Sequence, residues 1–156
     1  MATLAVWQLD SAGDASRSAD LLELLDRDDL LVIRDAAVVE WESGDRRPRT
    51  RRVAGELGTG FWGLLFGLVF FVPLLGAAIG ATTGALAGAL ADVGIDDHFI
   101  NRVRDQVTPG TSALFLLTSD SDVGHVHDAL ADVRPTMITT HLDDEQEAAL
   151  RAVFGD

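Results

Sequence analysis

Residues 57–91 read LGTGFWGLLFGLVFFVPLLGAAIGATTGALAGALA, a run of 35 residues without one charged side chain in a chain that is 24% charged. A stretch this long and apolar either enters a bilayer or is buried in protein, so it decides how the other residues are arranged. Its glycines recur at helical spacing, and they predict close contacts between helices. The glycines expected to make these contacts are Gly63, Gly67, Gly76, Gly80, Gly84 and Gly88.

Pro73 lies near the middle of this stretch and predicts the tip of a helical hairpin, because proline breaks a helix interior. An unbroken helix of 35 residues would be about 52 Å long and would end far from its start. The arms of the hairpin, residues 57–72 and 74–91, would be roughly 24 and 27 Å long. Both are marginal against about 30 Å of bilayer hydrocarbon.

The two arms differ in composition. Arm one, residues 57–72, carries ten Leu, Val or Phe side chains, which favour membrane insertion by roughly 3 to 6 kcal/mol before its glycines are counted. Arm two, residues 74–91, carries five Leu or Ile side chains, worth roughly 1.5 to 3 kcal/mol. Its glycine row clears one stripe of the helix for another backbone. Two interpretations remain open: hairpins of different chains associate, or arm two packs on arm one within a single hairpin.

The residues around this stretch predict an α+β domain. Alternating and continuous apolar runs predict strands at 3–9, 31–41, 111–118 and 136–142, and a basic edge strand at 48–53. The five apolar residues in a row at 113–117 place their strand at the sheet centre. Three- and four-residue periodicity predicts helices at 14–27, 97–107, 122–133 and 143–154.

This order of elements predicts a ferredoxin-like βαβ-αβαβ domain interrupted by a glycine-rich apolar helical hairpin. We expect three parts: residues 1–56 and 92–156, the two halves of the domain, the second with a C-terminal helix, and residues 57–91, the hairpin. Since both halves contribute strands to one sheet, a hairpin in a membrane would return to the side from which it entered.

We interpret the individual polar residues as having structural roles rather than roles in catalysis or metal binding. Asp35 is the one acidic residue inside the second predicted strand, and we interpret it as a strand-end or bulge aspartate. Asp143 and Gln146 have the spacing of a capping box. His125 and His127 lie two apart, about 200° around a helix, which predicts a surface pair without a shared metal.

Enzymatic activity is not expected. Without cysteine there is no thiol for redox chemistry, for a disulfide or for a metal site. The acids at 96, 97, 120 and 122 open predicted helices, where they stabilise the positive helix end. No glycine-rich phosphate loop follows a strand and no nucleophile motif is present, so we expect no catalytic residue, cofactor or metal. The N-terminus lacks the features of a signal peptide.

The positive charge is concentrated in one short segment before arm one. Five of the twelve arginines form a basic segment of seven residues, namely Arg46, Arg47, Arg49, Arg51 and Arg52. Seven arginines against 25 acidic residues, a balance of −18, remain elsewhere. So acidic a body repels nucleic acid, and we expect no nucleic acid partner. Next to arm one, the basic segment has the position of a cytoplasmic membrane-surface contact, and the alternative is a solvated hairpin turn.

These observations predict a non-enzymatic, membrane-associated homo-oligomer, assembled through glycine-zipper hairpins in the cell membrane with both termini cytoplasmic. Its partners would be further copies of itself and the lipid bilayer. The alternative is a soluble cytoplasmic homo-oligomer, or a small-ligand or stress-sensing module, whose hairpins are buried against each other.

A series of short motifs also points to a family. They are DAAVV (35–39), WGLLFG (62–67), PLLG (73–76), GALAG (84–88), DVGI (92–95) and PGTSAL (109–114). Between about residues 22 and 142, the chain resembles the prokaryotic family called Domain of Unknown Function twelve sixty-nine, often described as predicted membrane proteins. The resemblance implies a small bacterial or archaeal protein with a glycine-zipper hairpin inside an α/β domain. It implies no catalytic residues.

Overall fold

A computed structural model of the chain describes residues 2–27, 33–55, 59–71 and 90–154. The strands are β1 (Ala2–Leu9), β2 (Ile33–Glu40), β3 (Arg49–Gly55), β4 (Ser112–Ser119) and β5 (Thr136–Leu142). The helices are α1 (Asp14–Arg27), α2 (Thr59–Phe66), α3 (Asp97–Gln106), α4 (Asp120–Ala129) and α5 (Asp144–Phe154). A π-helical turn, Gly67–Phe71, continues α2, and a 3-10 turn, Ala131–Val133, follows α4. The chain is thus an α+β protein.

The five strands form one antiparallel sheet in the order β3-β2-β4-β1-β5. β4 lies in the centre, and β3 lies at an edge, as the sequence predicts. β4 pairs with β1 on one side and with β2 on the other. Strands from both sides of the uncharged stretch therefore belong to the same sheet.

Helices cover both faces of this sheet. On one face, α1 and α4 bury a cluster that includes Trp7, Leu114 and Leu116. On the other face, α2, the π-helical turn, α3 and α5 bury a larger cluster that includes Val39 and Phe115. Because β4 is covered on both faces, all of its residues from 112 to 118 are buried, which accounts for its continuous apolar run.

Arm one is helical where the structure describes it, and it packs on a surface that the sequence did not predict. Its described part, residues 59–71, is a helix and a π-helical turn that lie on the sheet. Its large apolar side chains at positions 61, 62, 65, 66 and 68–70 are at most 4% exposed. The physical reason is that the face formed by β2, β4 and β1 is itself apolar and is covered by this segment.

Residues 57–58 and 72–89 of the predicted hairpin lie outside the described residues. This applies to the tip at Pro73 and to four of the predicted contact glycines, Gly76, Gly80, Gly84 and Gly88. Among the helices in the described ranges, none combines the length and the apolarity needed to cross a bilayer.

Two predicted helix caps are confirmed. At the start of α3, Asp96 Oδ1 accepts a hydrogen bond from the Phe99 backbone N–H (3.0 Å). At the start of α5, the N–H of Gln146 donates to Asp143 Oδ1 (2.7 Å), and the N–H of Asp143 donates to Gln146 Oε1 (3.0 Å). This reciprocal pair is the predicted capping box.

Candidate functional site

The candidate site is the helical segment 59–71, which is anchored to the sheet on one side and open on another. Aromatic contacts make up much of the anchored side. The rings of Trp62 and Phe66 stack with centroids 5.6 Å apart. Both meet the ring of Phe115 edge-on, at 6.2 and 5.0 Å. Such edge-on contacts bury a large area with a defined geometry, so they fix how α2 lies over the sheet centre.

A buried carboxylate forms the polar part of the anchor. Asp35 in β2 is fully buried, and its Oδ1 accepts a hydrogen bond from the indole Nε1 of Trp62 (2.5 Å). The Nε of Arg52 in β3 lies 3.9 Å from the same oxygen. Burying a carboxylate is costly unless it is hydrogen-bonded or paired with a charge, and Asp35 has both kinds of partner.

The predicted bulge at Asp35 is confirmed. The register of β2 shifts between Ile33 and Asp35 against β4, and between Ala36 and Ala37 against β3. What the sequence did not predict is the link from this aspartate to Trp62, because the two residues are 27 positions apart and no local pattern connects them.

Gly55 leaves the room that the buried carboxylate needs. It lies opposite Asp35 in the β2-β3 pair, and a Cβ atom at this position would overlap the Asp35 carboxylate. The Gly55 carbonyl also accepts a hydrogen bond from Nη2 of Arg52 (2.8 Å). Asp35, Arg52 and Gly55 thus form one compact polar unit in contact with α2 through Trp62.

Arg104 in α3 holds the far end of the segment. Its Nε donates to the carbonyl of Val69 (3.0 Å), and its Nη2 donates to the carbonyl of Leu68 (2.7 Å). Its Nη1 donates to Asn101 Oδ1 (2.9 Å). Carbonyls at the end of a helix lack partners within the helix, and a cation is favoured there. Sequence analysis missed this residue, because nothing in its local pattern distinguishes Arg104 from other helix-surface arginines.

The open side of the segment carries two of the predicted contact glycines. Gly63 is exposed and Gly67 is half-exposed, and a Cβ atom at either position would have no neighbouring atom within 4 Å in the described structure. Because they are four positions apart, they lie on the same side of the helical segment. The backbone between them is therefore accessible to another helix.

The predicted basic segment divides into two parts. Arg46, Arg47, Arg49 and Arg51 are exposed. The contact of this segment with a membrane surface stays a prediction. Arg52, unlike the other four arginines, is half-buried and belongs to the Asp35 anchor. The reason is the alternation of β3, which turns Arg52 to the same side of the sheet as its neighbour Ala37 and Arg51 to the other side.

The histidines contact separate partners. Nδ1 of His127 accepts a hydrogen bond from Nε1 of the buried Trp7 (3.2 Å), and Nδ1 of His125 lies 3.6 Å from Asp122 Oδ1. The prediction of a surface pair is therefore wrong for His127, which supplies a partner to a core tryptophan. Across the described ranges, no group of three or more carboxylate or histidine side chains is placed to hold a metal ion.

The fold and this site define an α+β protein whose central apolar segment is partly folded onto its own antiparallel sheet. Residues 56–155 match the family described as "Protein of unknown function (DUF1269)", and the chain belongs to this family. The match includes α2, α3, β4, α4, β5 and α5, and begins after Asp35 and the rest of the first three strands. The expected span of the resemblance, from about residue 22, therefore started too early. Comparisons with curated proteins and with solved structures gave no match.

Proposed function

We propose that this is a non-enzymatic protein that assembles with further copies of itself, through the open glycine side of segment 59–71 together with the glycine row that follows it. The observation that carries this proposal is the pair Gly63 and Gly67, which leave a strip of backbone that no described atom covers, on a helical segment whose large apolar side chains are mostly buried. Glycines four apart allow two helix backbones to approach closely, with gains in packing at the contact.

A non-enzymatic role is supported by the position of the buried carboxylate. Asp35 is fully buried and is engaged by Trp62 and Arg52, so it is not available to a substrate. A structural role in holding α2 explains its presence inside an apolar strand.

We also propose that the core domain is ferredoxin-like. The elements β1-α1-β2 and β4-α4-β5 are two β-α-β units, and they interleave so that β4 and β1 are neighbours. On this assignment residues 1–56 and 92–156 hold the two units. β3 and α3 then flank the uncharged stretch, residues 57–91, which contains α2, and all three are additions between the two units. β3 extends the sheet at its edge, and α2 and α3 cover the sheet face that α1 and α4 leave open.

Of the two forms of assembly, we favour a cytoplasmic one in which the glycine-rich segments are buried against each other. The side chains of arm one that favour lipid, among them Phe61, Trp62 and Leu65, lie in the protein core. Arm two alone would supply roughly 1.5 to 3 kcal/mol of insertion free energy. A single crossing would also place β3 and β4 on opposite sides of the membrane, although both belong to one sheet.

The test is the variant Gly63→Leu with Gly67→Leu, measured by light scattering after size exclusion. We expect the assembly to dissociate towards the chain mass of 16.7 kDa. The melting temperature should no longer depend on protein concentration, as that of an assembly does, and the monomer should stay folded, because leucine is favoured over glycine in a helix by about 0.8 kcal/mol. Gly124→Leu is the matched control, since Gly124 is an exposed glycine of α4 whose Cβ would also meet no described atom within 4 Å. The control should keep the mass of the wild type.

Three results would contradict the proposal in different ways. A wild-type protein of monomer mass excludes self-assembly. An unchanged mass with a lower melting temperature in the Gly63 and Gly67 variant means that this side is covered by the chain's own arm two. Recovery of the wild-type protein only in the membrane fraction, with release only by detergent, replaces the cytoplasmic form by the membrane-associated one.

A further inference from the structure

The edge strand β3 has features of a binding surface that self-assembly through glycines does not use. In the described sheet, β3 pairs with β2 on one side and has no strand on its other side. An edge strand presents backbone N–H and C=O groups along its outer side, where a further strand can add to the sheet. Exposed arginines line this edge and the turn before it, at positions 46, 47, 49 and 51.

Three of these arginines have no side-chain partner among the residues that the structure describes. Within the described ranges, the side chains of Arg46, Arg47 and Arg49 make neither a hydrogen bond nor an ion pair. Glu40, the cross-strand neighbour of Arg49, accepts instead from the hydroxyl of Ser16. Unpaired arginines are unexpected in a chain with 25 acidic residues and 12 arginines, because acidic partners are abundant. They form a cationic edge on an acidic protein.

We propose that the outer edge of β3 binds an extended acidic segment of a partner protein by strand addition. Backbone hydrogen bonds to β3 would supply affinity, and the arginines would select the sequence. Arg49 and Arg51 are two apart in a strand, so they point to the same face of the sheet. The matching segment therefore carries Asp or Glu at alternate positions, each opposite or diagonal to one of these arginines.

The surroundings of the edge favour an added strand over a broad anionic surface. Outside the basic segment the chain carries seven arginines against 25 acids. A membrane surface or a nucleic acid duplex would bring many phosphates within the screening length of this acidic body, about 8 Å at physiological ionic strength. An added strand lies about 4.8 Å from β3 and can remain within the cationic edge.

The test uses a short fluorescein-labelled peptide of alternating glutamate and threonine, with fluorescence anisotropy as the readout. Arg49→Glu with Arg51→Glu should weaken binding by about tenfold or more, because two favourable cross-strand charge pairs become repulsive. Arg102→Glu with Arg134→Glu is the matched control, since both of these arginines are exposed and the change in net charge is the same. The control should change affinity by less than about twofold.

Two further probes decide between strand addition and charge alone. The same peptide, methylated on the amide nitrogens of one edge, should lose binding, because it can no longer donate to β3. Retained binding of the methylated peptide, equal weakening by both double variants, or no binding of the unmodified peptide to the wild type would overturn the proposal. Arginine-dependent binding to vesicles of equal parts phosphatidylcholine and phosphatidylserine, without peptide binding, would assign the edge to lipid instead. Circular dichroism melts of both variants show whether a loss of binding comes from unfolding.

Discussion

Replacing Trp62 by phenylalanine tests whether the hydrogen bond to a buried carboxylate holds α2 on the sheet. The substitution keeps an aromatic ring in the stack with Phe66 and removes the Nε1 donor that Asp35 Oδ1 accepts. Asp35 remains fully buried and has one donor fewer. A buried charged acceptor that loses a donor is destabilising, because the lost bond is not replaced by water.

Trp41→Phe is the control, and comparison with it gives the contribution of the Trp62–Asp35 hydrogen bond to the free energy of unfolding. Trp41 belongs to the same core cluster, is 9% exposed against 3% for Trp62, and donates its Nε1 to the backbone carbonyl of Asp45 (3.0 Å). Both substitutions remove the same atoms, so the packing losses are similar. A hydrogen bond to a charged group contributes about 1.5 to 3 kcal/mol and a neutral one about 0.5 to 1.5 kcal/mol. We therefore expect Trp62→Phe to lower the free energy of unfolding by about 1 to 1.5 kcal/mol more than Trp41→Phe does.

The assay is urea unfolding at one protein concentration, because assembly would make stability depend on concentration. The same pair of substitutions is then measured in a background that carries Asp35→Asn. There the difference between the two tryptophans should largely disappear, since the acceptor is no longer charged. Equal losses in the wild-type background, or a difference that persists with Asp35→Asn, would refute a special role for this bond.

Two more substitutions test the other parts of the anchor. Gly55→Ala should destabilise by about 2 kcal/mol or more in thermal unfolding, because the methyl group overlaps Asp35, whereas Gly124→Ala in α4 should stabilise by about 0.5 to 1 kcal/mol. A tolerated Gly55→Ala would contradict the close approach of Asp35. Arg104→Met should lower stability by about 1 to 3 kcal/mol, because the carbonyls of residues 68 and 69 lose their charged donor. It should also speed amide hydrogen exchange in segment 59–71, whereas Arg102→Met on the exposed side of the same helix should stay within about 0.5 kcal/mol of the wild type. Equal exchange rates in the two arginine variants would contradict the inference that Arg104 holds the end of segment 59–71.

Local patterns were sufficient to predict most of the secondary structure. All five strands and the described helices outside the uncharged stretch lie within a few residues of their predicted positions, because apolar spacing reports which side of an element is buried. The capping pair Asp143 and Gln146 follows from residue type and a spacing of three. The edge position of β3 follows from its proline and its arginines.

The contacts of the candidate site were not predictable in the same way. The bond from Trp62 to Asp35 spans 27 residues, and those from Arg104 to the carbonyls of Leu68 and Val69 span 36 and 35. No spacing rule relates residues so far apart, since their meeting depends on how several elements pack. The glycines at 63 and 67 could be recognised as contact residues from their spacing, but only the structure places them on the open side of the segment.

The sequence by itself predicts that residues 57–91 leave water, since 35 residues without a charge cannot remain solvated at low cost. It also determined that the flanking residues build a small acidic α+β domain. It did not determine what arm one is buried against, because a lipid bilayer and an apolar sheet face satisfy the same hydrophobic requirement. The tertiary structure decides this for residues 59–71. The sheet presents Val39 and Phe115 on a face that α1 and α4 do not cover, and the described part of arm one, residues 59–71, packs there.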